Sequence, residues 1–103
     1  MTNFYVTYTF ADKETRDKFF EEVKACGAIE KSNEEEGCIR YEYYYPAAND
    51  RQMFLWEQWE TRAHQKKHLE TAHYKEFNAI KIKYNTDVDI LIEDQIIECD
   101  DQE

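Results

Sequence analysis

Near its start the chain alternates Phe4, Val6, Tyr8 and Phe10 with Tyr5, Thr7 and Thr9. A period of two belongs to a strand, whose successive side chains point to opposite faces, so residues 3–10 are predicted as β. The period then changes. Phe19, Phe20, Val23 and Cys26 fall on one stripe at helical spacing, which predicts a helix over 13–26. Asp12 can cap it, acidic Glu14 suits its first turn, and Gly27 is a natural stop. Residues 28–36 read as an acidic connection with a short helical or irregular piece around 28–32. Glu34, Glu35, Glu36 and Gly37 are expected at the surface.

Residues 38–45, CIRYEYYY, are predicted as the second strand. Ile39, Tyr41, Tyr43 and Tyr45 take one side, and Cys38, Arg40, Glu42 and Tyr44 the other. A turn over 46–50 leads to a third strand over 52–59, with Met53, Leu55, Glu57 and Trp59 opposite Phe54, Trp56 and Gln58. The short link makes the two an antiparallel hairpin. Thr61 caps a helical region over 62–83. Its apolar positions do not hold one stripe, which predicts a break near 70–72, and Asn85 closes it. Val88, Ile90 and Ile92 then alternate with Asp87, Asp89 and Leu91, a last strand over 86–92 with a wetter face suited to a sheet edge. Ile96 and Ile97 extend this strand or dock elsewhere, and 100–103 are expected to fray.

The order β-α-β-β-α-β predicts an α+β, ferredoxin-like split βαβ fold: a four-stranded antiparallel sheet with both helices on one face. The other face also carries large rings. A second copy of the chain is the simplest cover for it, so a homodimer is expected, with aromatic-lined cavities between sheet and helices.

Composition adds bounds to this picture. The 103 residues are 42% hydrophobic and 16% aromatic, enough for one core. A chain this short buries only about 60–65% of its unfolded surface, another reason to expect pairing. One domain over 1–95 and an acidic tail over 96–103 are expected. Residues 1–85 hold 15 acidic and 13 basic residues, whereas 86–103 hold 8 acidic and none basic. The basic footprint that nucleic acid or an anionic membrane requires is missing. Cys26, Cys38 and Cys99 are widely spaced and odd in number, which suits a reducing, cytoplasmic setting. No signal-like or membrane-length apolar run interrupts the sequence.

The candidate chemistry gathers between Met53 and Phe77, where His64, His68 and His73 lie. His64 and His68 are four apart and, with His73 and Glu57, supply ligand types for a metal. The spacing matches no established metal motif, and ordinary surface or junction histidines are the simpler reading. Glu57, between apolar neighbours, either faces solvent or a cationic partner, or is buried with a raised pKa near His68. Most of the tyrosines read as sheet packing, with one or two free to hydrogen-bond a ligand. Cys38 reads as a small buried side chain. Phosphate loops, dinucleotide fingerprints and GxSxG are all missing.

Three segments resemble the antibiotic biosynthesis monooxygenase family. Glu36-Gly37-Cys38-Ile39-Arg40-Tyr41 resembles its E-x-G-C-hydrophobic-x-Y run, and Phe54 to Trp59 its hydrophobic-x-E-x-W strand. His68 to Phe77 resembles its H-x-x-S/T-x-H-F/Y-x-x-F junction. The resemblance spans residues 3–92. It implies a dimeric α+β barrel and, in some members, oxygenation of quinols, anthrones or similar small aromatics with O2 and no cofactor, neither metal nor flavin. It implies His68 as the catalytic residue that takes a phenolic proton, with His73, Glu57, Trp59, Tyr41 and Tyr74 as cavity or substrate-binding residues. Other relatives degrade haem with an asparagine early in the first strand, a tryptophan and a histidine; Asn3 is expected to stand just ahead of that strand's alternating residues here. Others isomerise small phosphorylated sugar-like metabolites, for which Arg40, Arg62 or Lys67 would have to bind phosphate. A non-catalytic small-ligand binding protein of the same fold is the third alternative.

Overall fold

The computed structural model describes residues 1–94, so the expectations for the acidic tail, Ile96, Ile97 and Cys99 lie outside the described residues. The chain runs β1 (Thr2–Thr9), α1 (Lys13–Ala25), α2 (Ala28–Asn33), β2 (Cys38–Tyr44), β3 (Gln52–Trp59), α3 (Arg62–His68), α4 (Ala72–Lys83) and β4 (Asp87–Asp94). The strands form one antiparallel sheet in the order β2-β3-β1-β4. This is the α+β, ferredoxin-like split βαβ arrangement expected from the alternating patterns.

The core lies between sheet and helices. Phe4, Val6, Tyr8 and Phe10 on β1 meet Met53, Leu55 and Trp59 on β3, with Phe19 and Val23 from α1 and Phe77 from α4. Rings carry much of the packing. Tyr8 lies 5.7 Å from Phe19 and 6.1 Å from Phe77 between centroids, and Phe19 lies 4.9 Å from Phe10. Local chemistry sets the helix starts. Asp12, Thr61 and Thr71 each accept a hydrogen bond from the backbone N–H three residues on, at the heads of α1, α3 and α4. Thr71 also marks the break expected near 70–72.

Two local features depart from the sequence reading. A bulge between Cys38 and Arg40 pairs Cys38 with Trp59 but Arg40 with Gln58. Ile39 is therefore the extra residue and is exposed, while Cys38 turns to the core side. The period-two assignment of Ile39 and Cys38 is thus reversed. Asn3 lies within β1 rather than ahead of it, and its Oδ1 accepts from Trp56 Nε1 at 2.8 Å and Gln58 Nε2 at 3.0 Å. Gly37, just before the bulge, has φ +82°, and a Cβ there would lie 2.2 Å from the His64 ring, so only glycine fits.

β4 is the sheet edge, and every one of its residues is exposed. Val88, Ile90 and Ile92 look toward the helix side yet remain uncovered at 39%, 53% and 42% exposure. On the far face of the sheet, Tyr5 stacks on Phe54 at 6.3 Å and Arg40 lies 4.4 Å above the Trp56 ring. Tyr44 and Leu91 on that face are exposed. No helix among the described residues is long and apolar enough to cross a membrane.

Candidate functional site

His68 ends α3 and His73 lies in the first turn of α4, and the link between them is tied at both ends. Thr71 Oγ1 donates to the His68 carbonyl at 2.7 Å and accepts from Tyr74 N at 3.1 Å. This brings both imidazoles onto one carboxyl, that of Glu35, which stands between α2 and β2. Glu35 Oε2 lies 2.5 Å from His68 Nδ1 and 2.6 Å from His73 Nε2. Its side chain is only 14% exposed. The expectation that Glu34 to Gly37 are all surface is therefore corrected at Glu35: two ring nitrogens inside the fold need an acceptor, and this carboxyl supplies it.

The arrangement assigns protons. Each imidazole satisfies its contact by donating N–H to Glu35, which puts the His68 proton on Nδ1 and leaves a lone pair on Nε2. That Nε2 is buried and has no hydrogen-bond partner among the described residues. Burial pushes the His68 pKa below its ordinary value, against the opposing pull of Glu35, so the ring is neutral at neutral pH. The ring packs 5.1 Å from Trp59, 5.2 Å from Tyr74 and 5.5 Å from Tyr41.

The ligand atoms of Glu35, His68 and His73 lie within 4.8 Å of one another, so they are the group among the described residues that could hold a metal ion. Their 2.5 and 2.6 Å contacts are hydrogen-bond separations; donor atoms sharing a tetrahedral zinc at ~2.0–2.1 Å stand roughly 3.3 Å apart. His64 is elsewhere, against Gly37, with its Nδ1 2.8 Å from Thr61 Oγ1.

Beside this layer a cavity of about 200 Å³ opens between the sheet and α4. Its apolar wall is Phe4, Val6, Tyr8 and Phe77, continued by Val88, Ile90 and Ile92 of β4. Tyr41, Tyr74, Glu57 and Lys81 supply its polar groups, together with Gln65. Of the residues singled out from the sequence, Glu57, Tyr41 and Tyr74 line this cavity. His68, His73 and Trp59 form the layer behind it.

Glu57 is the unusual group in the wall. Its neighbours along β3 are Trp56 and Gln58, but the pleat turns its carboxyl inward between Leu55 and Trp59. The Trp59 indole N–H donates to it at 3.1 Å. Burial raises its pKa to about 7; the Trp59 hydrogen bond and the Lys81 charge pull the other way, while Glu35 adds to the rise. A carboxyl that changes charge near neutrality, facing an apolar cavity, suits proton transfer. Cys38, by contrast, is half-buried with its thiol pushed up to about 11 by burial, which is unsuitable for a nucleophile.

Sequence reasoning missed Glu35 and Lys81. A buried histidine pair at a helix junction calls for an acceptor, which could have pointed to the acidic run. Lys81 follows Tyr74 by seven residues and Phe77 by four on α4, on the same helical face, a signal that was present in the spacing.

Solved structures share this fold. A Deinococcus radiodurans protein described as a candidate antibiotic biosynthesis monooxygenase superposes with a TM-score of 0.82 at 14% identity, covering 95% of each chain. Rv0793 from Mycobacterium tuberculosis gives 0.76 at 18% identity, over 96% of this chain and 99% of its own. A conserved protein from Methanosarcina mazei Go1 gives 0.78 at 23% identity, over 93% and 94%. No curated protein matches the chain. The family model for antibiotic biosynthesis monooxygenases matches residues 4–80, most of the chain, and the chain belongs to that family.

Proposed function

We propose that the chain is a monooxygenase that uses O2 on a small hydroxylated aromatic, such as a quinol, bound in the cavity between the sheet and α4. The observation that carries this reading is Glu57, a carboxyl with a near-neutral pKa in a mostly apolar and aromatic wall. In this reading Glu57 takes the ring-hydroxyl proton. The O–H electron pair stays on the ring oxygen, and the electron-rich anion passes one electron to O2. Recombination of the two radicals forms a C–O bond; protonation and loss of water give the oxygenated product. The substrate supplies the electrons, and the tyrosine and phenylalanine rings keep water from the anion.

His68 is the other acceptor to weigh, because its Nε2 lone pair is buried without a partner among the described residues. The rings of Tyr41 and Tyr74, which line the cavity, pack against the His68 ring at 5.5 and 5.2 Å. Oxygen uptake with substituted hydroquinones and naphthohydroquinones separates the two. With Glu57 as acceptor, Glu57→Gln loses about 100-fold or more in rate, and His68→Ala loses less. The reverse order would transfer the role to His68. No uptake by the wild type on any such compound would defeat the monooxygenase reading.

Size narrows the substrate. A closed apolar cavity of ~150 Å³ accepts benzene. The 200 Å³ here suits one substituted ring, or two with part of the second outside, better than a three-ring anthrone. The isomerase alternative finds less support. Arg40 lies on the opposite face of the sheet, Arg62 reaches Asp94 at 3.5 Å, and Lys67 is exposed on α3. That leaves Lys81 as the single cation in the cavity wall among the described residues, too little for a doubly charged phosphate.

The uncovered surfaces support a homodimer. The far face carries Tyr5, Phe54 and Trp56 with exposed Tyr44 and Leu91, a patch that a second copy would bury to form the dimeric α+β barrel. Sedimentation is expected to give a dimer at micromolar concentration; a stable, folded monomer of 12.5 kDa would overturn this.

A further inference from the structure

Lys81 is set apart from the other helical lysines by its place in the cavity wall and its partial burial. Lys13, Lys18, Lys24 and Lys83 each reach a carboxylate, at 2.9, 3.4, 2.9 and 2.8 Å, while Lys31, Lys66, Lys67 and Lys75, also without an ion pair among the described residues, are exposed to solvent. Lys81 has no ion pair among the described residues, although it faces the same cavity as Glu57. It is half-buried, and its ammonium lies 5.6 Å from the Phe77 ring centroid, over the apolar wall. Burial lowers its pKa while the charge of Glu57 raises it, so the two groups sense each other across the cavity without pairing.

We infer that Lys81 is the oxyanion-binding residue of this cavity, which makes the site a receptor for aromatic or enolic hydroxyls held in their ionised form. The inference rests on the hydroxy-aromatic reading above and adds what stabilises the anion once its proton has left. Charge balance supports it. Before transfer the cavity holds a Glu57 carboxylate, the Lys81 ammonium and a neutral hydroxyl. Afterwards it holds a neutral Glu57 carboxyl, the same ammonium and an aryl oxide. The sum of charges is zero in both states, so the proton moves without creating an unpaired charge in an apolar enclosure. A single ammonium matches a single oxyanion. It does not match a phosphate dianion, nor a neutral hydrocarbon, which would leave Lys81 desolvated without compensation.

The test uses 4-nitrophenol, whose phenolate absorbs visible light and whose neutral form does not, so binding and ionisation are read without turnover. At slightly acidic pH, wild-type protein is expected to raise the phenolate-to-phenol ratio of the bound probe about tenfold over free probe, the effect of one opposite charge nearby. Lys81→Met should bind the probe, followed by calorimetry, but abolish the rise; Lys81→Arg should restore most of it. Far-UV circular dichroism checks that the variants fold. An undiminished rise in Lys81→Met, or a wild-type probe bound only as the neutral phenol or not at all, would overturn the inference. A rise in the probe with no oxygen uptake on any quinol would instead defeat the monooxygenase reading and leave Lys81 in its role.

Discussion

Two carboxyls on the helix side of the sheet meet opposite surroundings. Glu35 is clasped by two imidazole nitrogens at 2.5 and 2.6 Å and is part of the packed layer behind the cavity. Glu57 has one neutral donor among the described residues, the Trp59 indole, and otherwise faces a mostly apolar cavity that it shares with the unpaired Lys81. The same functional group is thus used once to lock histidines in place and once to carry a proton. Burial raises the Glu57 pKa and the Trp59 hydrogen bond and Lys81 charge offset it only in part, whereas Glu35 meets two imidazoles at hydrogen-bond distance.

The two should respond differently when removed. Glu35→Ala leaves the His68 and His73 ring protons inside the fold without an acceptor. Stability is expected to fall by about 3–5 kcal/mol, as when one partner of a buried charged contact is lost. Urea unfolding measures this; a loss under ~0.5 kcal/mol would place Glu35 among ordinary surface residues.

Glu57 should reveal itself through pH with a somewhat smaller effect. Its folded pKa of about 7 lies above the unfolded value near 4.5, so the folded state holds the proton more tightly. The resulting contribution is fully present below about pH 4.5 and is lost as pH rises through about 7. It amounts to about 3 kcal/mol at most. Burial lowers the His68 pKa, which works the other way: stability rises with pH through the ordinary histidine range. Glu57→Gln removes only the first of these trends, so the variant should lose less stability than wild type as pH rises from about 5 to about 8.

Much of this was legible in the chain. The period-two runs of β1 and β3 gave their faces directly, and Glu57 fell on the inward side between Leu55 and Trp59, with a raised pKa among the options it offered. The helix break was visible as a lost stripe after Leu69. What was hidden lay where periodicity stops. Glu35 sits in a run of three glutamates that differ only in where the chain turns after α2, and a one-residue bulge decided which of Cys38 and Ile39 points inward. Neither depends on residue type alone: one is fixed by the histidines it meets and the other by register against β3. His68 and His73 meet at the helix break, but the acceptor they share comes from a segment 33 residues away from His68.

The contrast between the two carboxyls is tested most directly by carbon-detected NMR of glutamate side-chain carboxyls over a pH series, with Glu57→Gln to assign the signal. One glutamate carboxyl is expected to titrate near pH 7 in the wild type and to be missing from the variant. If every glutamate has ionised by about pH 5, within the usual range for the group, Glu57 is an ordinary carboxylate and the proposed proton transfer in the cavity is contradicted.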